Sequence, residues 1–268
     1  MSENASEQRV ALVTGAGRGI GAATVRLLVE RGLRVVAVDV ASGEEHGLPG
    51  VGYDLATRAE LEELAALGDA VETVVADVRD PAAVERAAAR AVERWGRLDV
   101  AVAAAAVMSG GTPAWETPLA DLDTLWAVDV AGVWHVARSC VPRMLAGPDP
   151  SGCRFVAVAS LAAEKGLFGL AAYNAAKHAV VGVVRGLAAD LVGTGVTAVA
   201  VSPGSTDTAM LRATAASYAL DDVQPLVARQ LLRRPLRPEE VAATIAFCCS
   251  YDGAALNGSV VAATGGAE

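Results

Sequence analysis

Short, almost wholly apolar runs alternate along the chain with longer segments in which apolar residues recur every three or four positions. The runs at residues 10–14, 35–39, 73–77, 98–107, 154–160 and 259–263 are rich in Val and Ala, as strands buried on both faces of a parallel sheet are. Between them the periodicity predicts helices at 20–31, 57–67 and 80–95, a long one after Thr117-Pro118, another at 175–191 and a last one from Pro238. In the long helix Leu122, Leu125, Trp126, Val130, Val133 and Val136 keep the period, interrupted by Asp129 and His135. Thr57 with Glu60 reads as a capping box, Asp80-Pro81 as an N-cap with proline after it, and Thr117 as a cap before Pro118. Residues 41–56 have no period, and a Gly- and Pro-rich connection of that length is functional or disordered. Strands alternating with helices require an α/β fold with helices on both faces of the sheet.

Composition narrows the class. A chain of 268 residues, 53% hydrophobic and 20% charged, suits one large domain over residues 9–268. The polar residues 1–8 are expected to be disordered and carry no secretory signal, which points to the cytoplasm. A net charge of -9 argues against nucleic acid or an anionic membrane as partner, and no apolar run reaches the ~18 residues of a membrane span. Cys140, Cys153, Cys248 and Cys249 read as reduced core residues, and His46, His135 and His178 are too scattered to suggest a metal site.

The candidate chemistry begins where the first strand meets Gly15-Ala16-Gly17-Arg18-Gly19-Ile20-Gly21 and then a helix. Such glycines let the backbone approach a pyrophosphate, and the helix start presents free N–H groups and a positive dipole end. Asp39, about twenty residues on, ends the second strand where it accepts from adenosine ribose hydroxyls and repels a 2′-phosphate, favouring NAD. Arg18 pulls weakly the other way, since a guanidinium pairs with phosphate. Asp77, before Val78, is an acceptor for the adenine amino group or a plain turn acid. Ala103-Ala104-Ala105-Ala106 leaves room for a flat ligand or only packs tightly. Ser160 ends the fifth strand at the carboxyl edge, where open sheets bind ligands. Tyr173 and Lys177, four residues apart, share one helix face. Tyrosine titrates near ~10, so a base near neutrality needs tyrosinate stabilised by ~2–3 pH units, which a neighbouring ammonium and a nicotinamide cation supply.

Thr14-Gly15-x-x-x-Gly19-Ile20-Gly21, Asp77-Val78, Ser160, Tyr173-x-x-x-Lys177 and Pro203-Gly204 together resemble the short-chain dehydrogenase/reductase family over residues 9–266. The resemblance implies a single Rossmann-type, doubly wound domain whose seven-stranded parallel sheet is flanked by helices. It implies hydride transfer between NAD and a secondary alcohol or ketone, with Tyr173 as general acid/base, Lys177 orienting the nicotinamide ribose and Ser160 positioning the substrate oxygen. Pro203, Gly204, Thr206 and Thr208 resemble the segment that holds the nicotinamide amide and pyrophosphate. Ala104 and Ala105 fall on the cofactor path, and relatives commonly form homotetramers.

Two departures stand out. The alanine run replaces the Asn-Asn-Ala-Gly usual in relatives, and Ala106 is expected to narrow the cofactor path. Asp129 stands where relatives place a catalytic asparagine; ionised aspartate only accepts, so it is expected to hold a proton-relay water while strengthening the Lys177 ammonium. With Tyr53-Asp54-Leu55-Ala56-Thr57-Arg58 and Trp115-Glu116-Thr117-Pro118, these departures resemble mycofactocin-coupled members. That implies an NAD held without exchange under residues 41–56 and re-oxidised by a mycofactocin-type carrier. Residues 205–235, with Met210, Leu211 and Tyr218, are expected to close over a small apolar alcohol or ketone. Three readings stay open at this point: an enzyme with freely exchanging NAD(H), a redox-inactive NAD-binding regulator, and a sugar epimerase or dehydratase.

Overall fold

The computed structural model describes residues 8–228 and 230–267. The expected disorder of the N-terminal segment therefore lies, Gln8 apart, outside the described residues. Strands β1 (Val10–Thr14), β2 (Arg34–Asp39), β3 (Val71–Val75), β4 (Val100–Ala103), β5 (Arg154–Val158), β6 (Thr197–Pro203) and β7 (Val260–Ala263) form one sheet. Its order is β3-β2-β1-β4-β5-β6-β7, and every pair is parallel. All residues of β1, β4 and β5 are buried, which is why their sequences show no in-out alternation. β6 is the strand that residue-by-residue reading leaves out, its place being filled only by the family resemblance. The order reverses between β1 and β4, so a crevice opens at their carboxyl ends.

Helices α1 (Gly19–Glu30), α2 (Arg58–Glu62), α3 (Pro81–Trp95), α4 (Leu119–Leu125), α5 (Gly132–Leu145), α6 (Ala171–Asp190), α7 (Ala209–Ser217), α8 (Gln224–Val227) and α9 (Pro238–Cys248) complete the fold. Apolar residues of α3, α5 and α6, among them Ala88, Val136 and Val180, share one core with one face of the sheet. Val25 and Leu28 of α1 and Val241 and Ile245 of α9 cover the other face. Each such Val, Leu or Ile stabilises the fold by ~1.5–3 kcal/mol relative to exposure. Among the described residues no helix is long and apolar enough to cross a membrane.

The capping box at Thr57 forms, with Glu60 N donating to Thr57 Oγ1 at 3.2 Å and Thr57 N to Glu60 Oε2 at 2.7 Å. Asp80 caps α3 by accepting from Ala82 N at 2.8 Å. Thr117 does not cap α4: Pro118 holds the N-cap position, and the Thr117 hydroxyl donates to Pro113 O at 3.2 Å within the preceding turn. The helix expected over 57–67 tightens into a 3-10 stretch from Glu63 to Ala70, and the fourth strand stops at Ala103. The long predicted helix is broken as well. Trp126–Ala131 is π-helical between α4 and α5, and this wider turn carries Asp129 inward, as such bulges do at functional sites.

Residues 41–56 form a strap closed at its base. Gly43 N donates to Ala56 O and Leu55 N to Gly43 O, each at 3.0 Å, and Ser42 bridges Thr57. Ala41, at the start of the strap, has φ +52°, where its N–H meets the Asp39 carboxylate at 2.9 Å.

Candidate active site

At the mouth of the crevice the glycine turn folds against the alanine run. Thr14 Oγ1 accepts from the N–H groups of Ala104 and Ala105 at 3.2 and 3.3 Å, drawing the two chain segments together. A Cβ on Gly15, whose φ is +67°, would lie 2.7 Å from Ala105 N, so only glycine fits that approach. The Asp39 carboxylate accepts from Gly17 N and from Ala41 N, both at 2.9 Å, and thereby shapes both the turn and the start of the strap. These elements enclose a cavity of about 570 Å3, lined by Gly15, Arg18, Gly19, Ile20, Gly21, Asp39, Asp77, Val78, Ala104, Ala105, Ala106 and Thr208. Its size, the glycine turn at the start of α1 and the acid at the end of β2 fit a nicotinamide dinucleotide.

Not every residue expected at the cofactor lines this cavity with its polar atoms free. Burial pushes the Asp77 carboxyl up, but Arg79 holds it below the usual carboxylate range; Arg79 Nη2 lies 2.6 Å and Arg79 N 2.8 Å from its oxygens. Its oxygens therefore already serve a neighbour while facing the cavity. Pro203, Gly204 and Thr206 do not line the cavity among the described residues. Thr206 is buried and its hydroxyl donates to Gly204 O at 3.0 Å, serving the turn after β6. Thr208 does face the cavity, and its hydroxyl also caps α7 by accepting from Leu211 N at 3.3 Å.

Behind the cavity wall the fold gathers Asp129, Ser160, Tyr173 and Lys177. Lys177 Nζ lies 3.0 Å from Asp129 Oδ2 and donates to Val158 O at 3.3 Å. It also stands 5.5 Å from the centre of the Tyr173 ring. Asp129 Oδ1 accepts from Val107 N at 2.9 Å, so the segment that leaves the sheet after Ala103 anchors the carboxylate. The Ser160 hydroxyl accepts from Ala162 N at 3.1 Å, and it acts on the phenol by lowering its pKa. Burial pushes the Asp129 carboxyl up despite Lys177 and the Val107 N–H. Burial alone would lower Lys177, but the charges of Asp129 and Tyr173 reverse that and raise it. For Tyr173, burial raises the phenol, Lys177 and Ser160 oppose, and Asp129 offsets part of that opposition. The net direction is upward, contrary to the expectation that a neighbouring ammonium makes this tyrosine more acidic.

Two participants are not legible from spacing. Met210 of α7 places Sδ 3.8 Å from the Tyr173 hydroxyl and lines the cavity, so it separates the phenol from the open space. Tyr53 of the strap accepts from Met108 N at 2.9 Å through its hydroxyl, and burial pushes its phenol up. Arg18 donates to the carbonyl of Asp54, pinning the strap beside the glycine turn. The insertion itself marked this segment, but no periodicity pairs residue 53 with residue 108.

Comparison with known proteins agrees with this geometry. A family model described as enoyl-(acyl carrier protein) reductase matches residues 15–268. The 1-deoxy-11-beta-hydroxypentalenate dehydrogenase of Streptomyces avermitilis is 41% identical over 203 residues, 75% of this chain and 70% of its own. The cis-4-hydroxycyclohexanecarboxylate dehydrogenase of Sinomonas cyclohexanicum is 36% identical over 259 residues, 97% and 96% of the two chains. The crystal structure of carveol dehydrogenase from Mycobacterium avium in complex with NAD superposes with a TM-score of 0.88 at 26% identity, covering 96% of each chain. The glycine turn, the crevice and the buried tyrosine–lysine pair therefore sit in a chain that belongs to the short-chain dehydrogenase/reductase family, a family of nicotinamide-dependent oxidoreductases.

Proposed function

We propose that this enzyme transfers hydride between NAD and an alicyclic secondary alcohol or its ketone, with Tyr173 as general acid/base. The observation that carries the reading is the buried cluster of Ser160, Tyr173, Lys177 and Asp129 behind a cavity that fits a dinucleotide. A bound nicotinamide supplies the carbon that accepts or gives the hydride. In the oxidation direction Tyr173 takes the carbinol proton at its phenolic oxygen, while the Ser160 hydroxyl holds the same substrate oxygen. Lys177 stabilises the phenolate through space, and Asp129 fixes the ammonium in place. Asp39 favours NAD, because a 2′-phosphate beside this carboxylate would meet like charge. The named dehydrogenases act on hydroxypentalenate, hydroxycyclohexanecarboxylate and carveol, which supports a ring-borne alcohol as the substrate class.

The strap over residues 41–56, tied at its base and to Arg18, supports a cofactor retained between turnovers and re-oxidised by a mycofactocin-type carrier. Residues 205–235 form the substrate lid, with Met210 over the phenol. Exposed Trp126 and Trp134 on the α4–α5 side support a contact surface for a second copy of the chain, within the homotetramer that the family resemblance implies. The decisive experiment follows NADH absorbance over a panel of alicyclic alcohols, with an artificial electron acceptor present. Tyr173→Phe is expected to lose at least ~10³-fold in kcat while still binding NAD; retention of activity sinks the assignment. Rapid exchange of labelled NAD from the purified protein would remove the trapped-cofactor part alone.

A further inference from the structure

We propose that Ser42 and His46 of the strap hold the oxygens of the adenosine ribose diol, completing a subsite of which Asp39 supplies one half. This rests on the dinucleotide reading above. The two residues stand at the ends of a single 3-10 turn over Gly43–His46, entered and left through Gly43 and Gly47, each at φ +57°. The turn is fixed from outside by Leu48, buried in the core, and by the bridge from Ser42 to Thr57. Ser42, His46 and Asp39 all line the cofactor cavity.

Donors are what Asp39 cannot provide. Its carboxylate only accepts, so it takes the hydrogens of two ribose hydroxyls but offers nothing to their lone pairs. The nearby backbone donors, Gly17 N and Ala41 N, are already spent on Asp39 itself, each at 2.9 Å. His46 Nδ1 accepts from Leu48 N at 3.0 Å; an Nδ1 that accepts leaves the ring proton on Nε2, and among the described residues no protein acceptor takes it. Ser42 Oγ is buried and has no hydrogen-bond partner among the described residues. Nothing holds its rotamer, so the hydroxyl is free to turn about χ1 toward the cavity that the residue lines.

The charges around these residues suit an uncharged diol. Asp39, Glu45, Glu60 and Asp77 line the cavity against Arg18 and Arg79. Arg79 is taken by Asp77 at 2.6 Å, Glu60 accepts from Thr57 N at 2.7 Å, and Arg18 donates to the carbonyl of Asp54. Asp39 and Glu45 have no basic partner among the described residues. A phosphate added to the ribose would meet this acidic excess, whereas hydroxyls meet one acceptor in Asp39 and two donors in Ser42 and His46.

The test follows release of labelled NAD from the loaded protein after a chase with unlabelled NAD, beside a labelled NAD analogue whose adenosine ribose lacks both hydroxyls. Ser42→Ala removes one donor. His46→Asn keeps an acceptor for Leu48 N but not the distal donor, which His46→Gln returns. Ser42→Ala and His46→Asn are each expected to speed NAD release about tenfold, and His46→Gln to stay within about threefold of the wild type. The analogue should leave the wild type at least about tenfold faster than NAD does, and none of the three variants should speed it by more than about twofold further. NAD released by Ser42→Ala and His46→Asn at the wild-type rate, or an analogue accelerated by them as much as NAD is, overturns the inference. A wild type that takes up neither nucleotide overturns the dinucleotide reading instead.

Discussion

Asp129 Oδ2 sits 3.0 Å from Lys177 Nζ, and both side chains are shut away from solvent. The carboxylate ties down the ammonium. It also spends part of the positive field that would otherwise stabilise a Tyr173 phenolate. The Asp129→Asn variant keeps an oxygen for Val107 N but removes the charge. Its pH–rate profile for alcohol oxidation is expected to shift toward lower pH by about one unit. Asp129→Ala, which strands a buried cation, is expected to cost ~3–5 kcal/mol by chemical denaturation. An unmoved pH profile in Asp129→Asn would show that the carboxylate has no influence on the phenol.

Tyr173 and Lys177 both titrate above their ordinary values of 10.0 and 10.5 in the folded chain. The unfolded chain loses these protons first as pH rises, so it binds fewer of them, and stability must fall with pH in that range. Their contribution is complete below pH 10.0 and drains away as pH climbs through the raised folded values. Denaturation midpoints followed from neutral to strongly alkaline pH should show this decline. Tyr173→Phe should make it shallower.

Gly15 and Gly32 both have positive φ, +67° and +85°, but only Gly15 meets the backbone of another segment. Gly32→Ala is expected to cost ~1 kcal/mol from conformation alone. Gly15→Ala adds a clash with Ala105 N and is expected to abolish measurable dinucleotide binding as well as lower the thermal midpoint further. Equal behaviour of the two variants in a fluorescence titration with NADH would refute the close-approach argument.

Asp39 makes two backbone hydrogen bonds and presents its charge to the cavity. Asp39→Ser is expected to weaken NAD binding about tenfold while improving NADP, because the like-charge repulsion is gone. It should also destabilise the protein by ~1–3 kcal/mol through the amides of Gly17 and Ala41 left without their acceptor. Unchanged cofactor preference would mean that Asp39 serves the fold alone.

Much of this was written in local pattern. Apolar runs without alternation announced buried parallel strands, the capping box at Thr57 and the cap at Asp80 needed only neighbours in sequence, and the glycine turn declared the crevice. Those features depend on contacts between residues a few positions apart, or on burial that imprints composition. What depended on distant segments meeting was closed to that reading. The π-helical turn that swings Asp129 onto Lys177, the Met210 thioether over the phenol, and the Tyr53 hydroxyl under Met108 N each join residues dozens of positions apart. Even the direction in which Tyr173 titrates came from burial outweighing a neighbouring cation. Burial of one side chain is a property of how all the elements pack, and no stretch of residues states it alone.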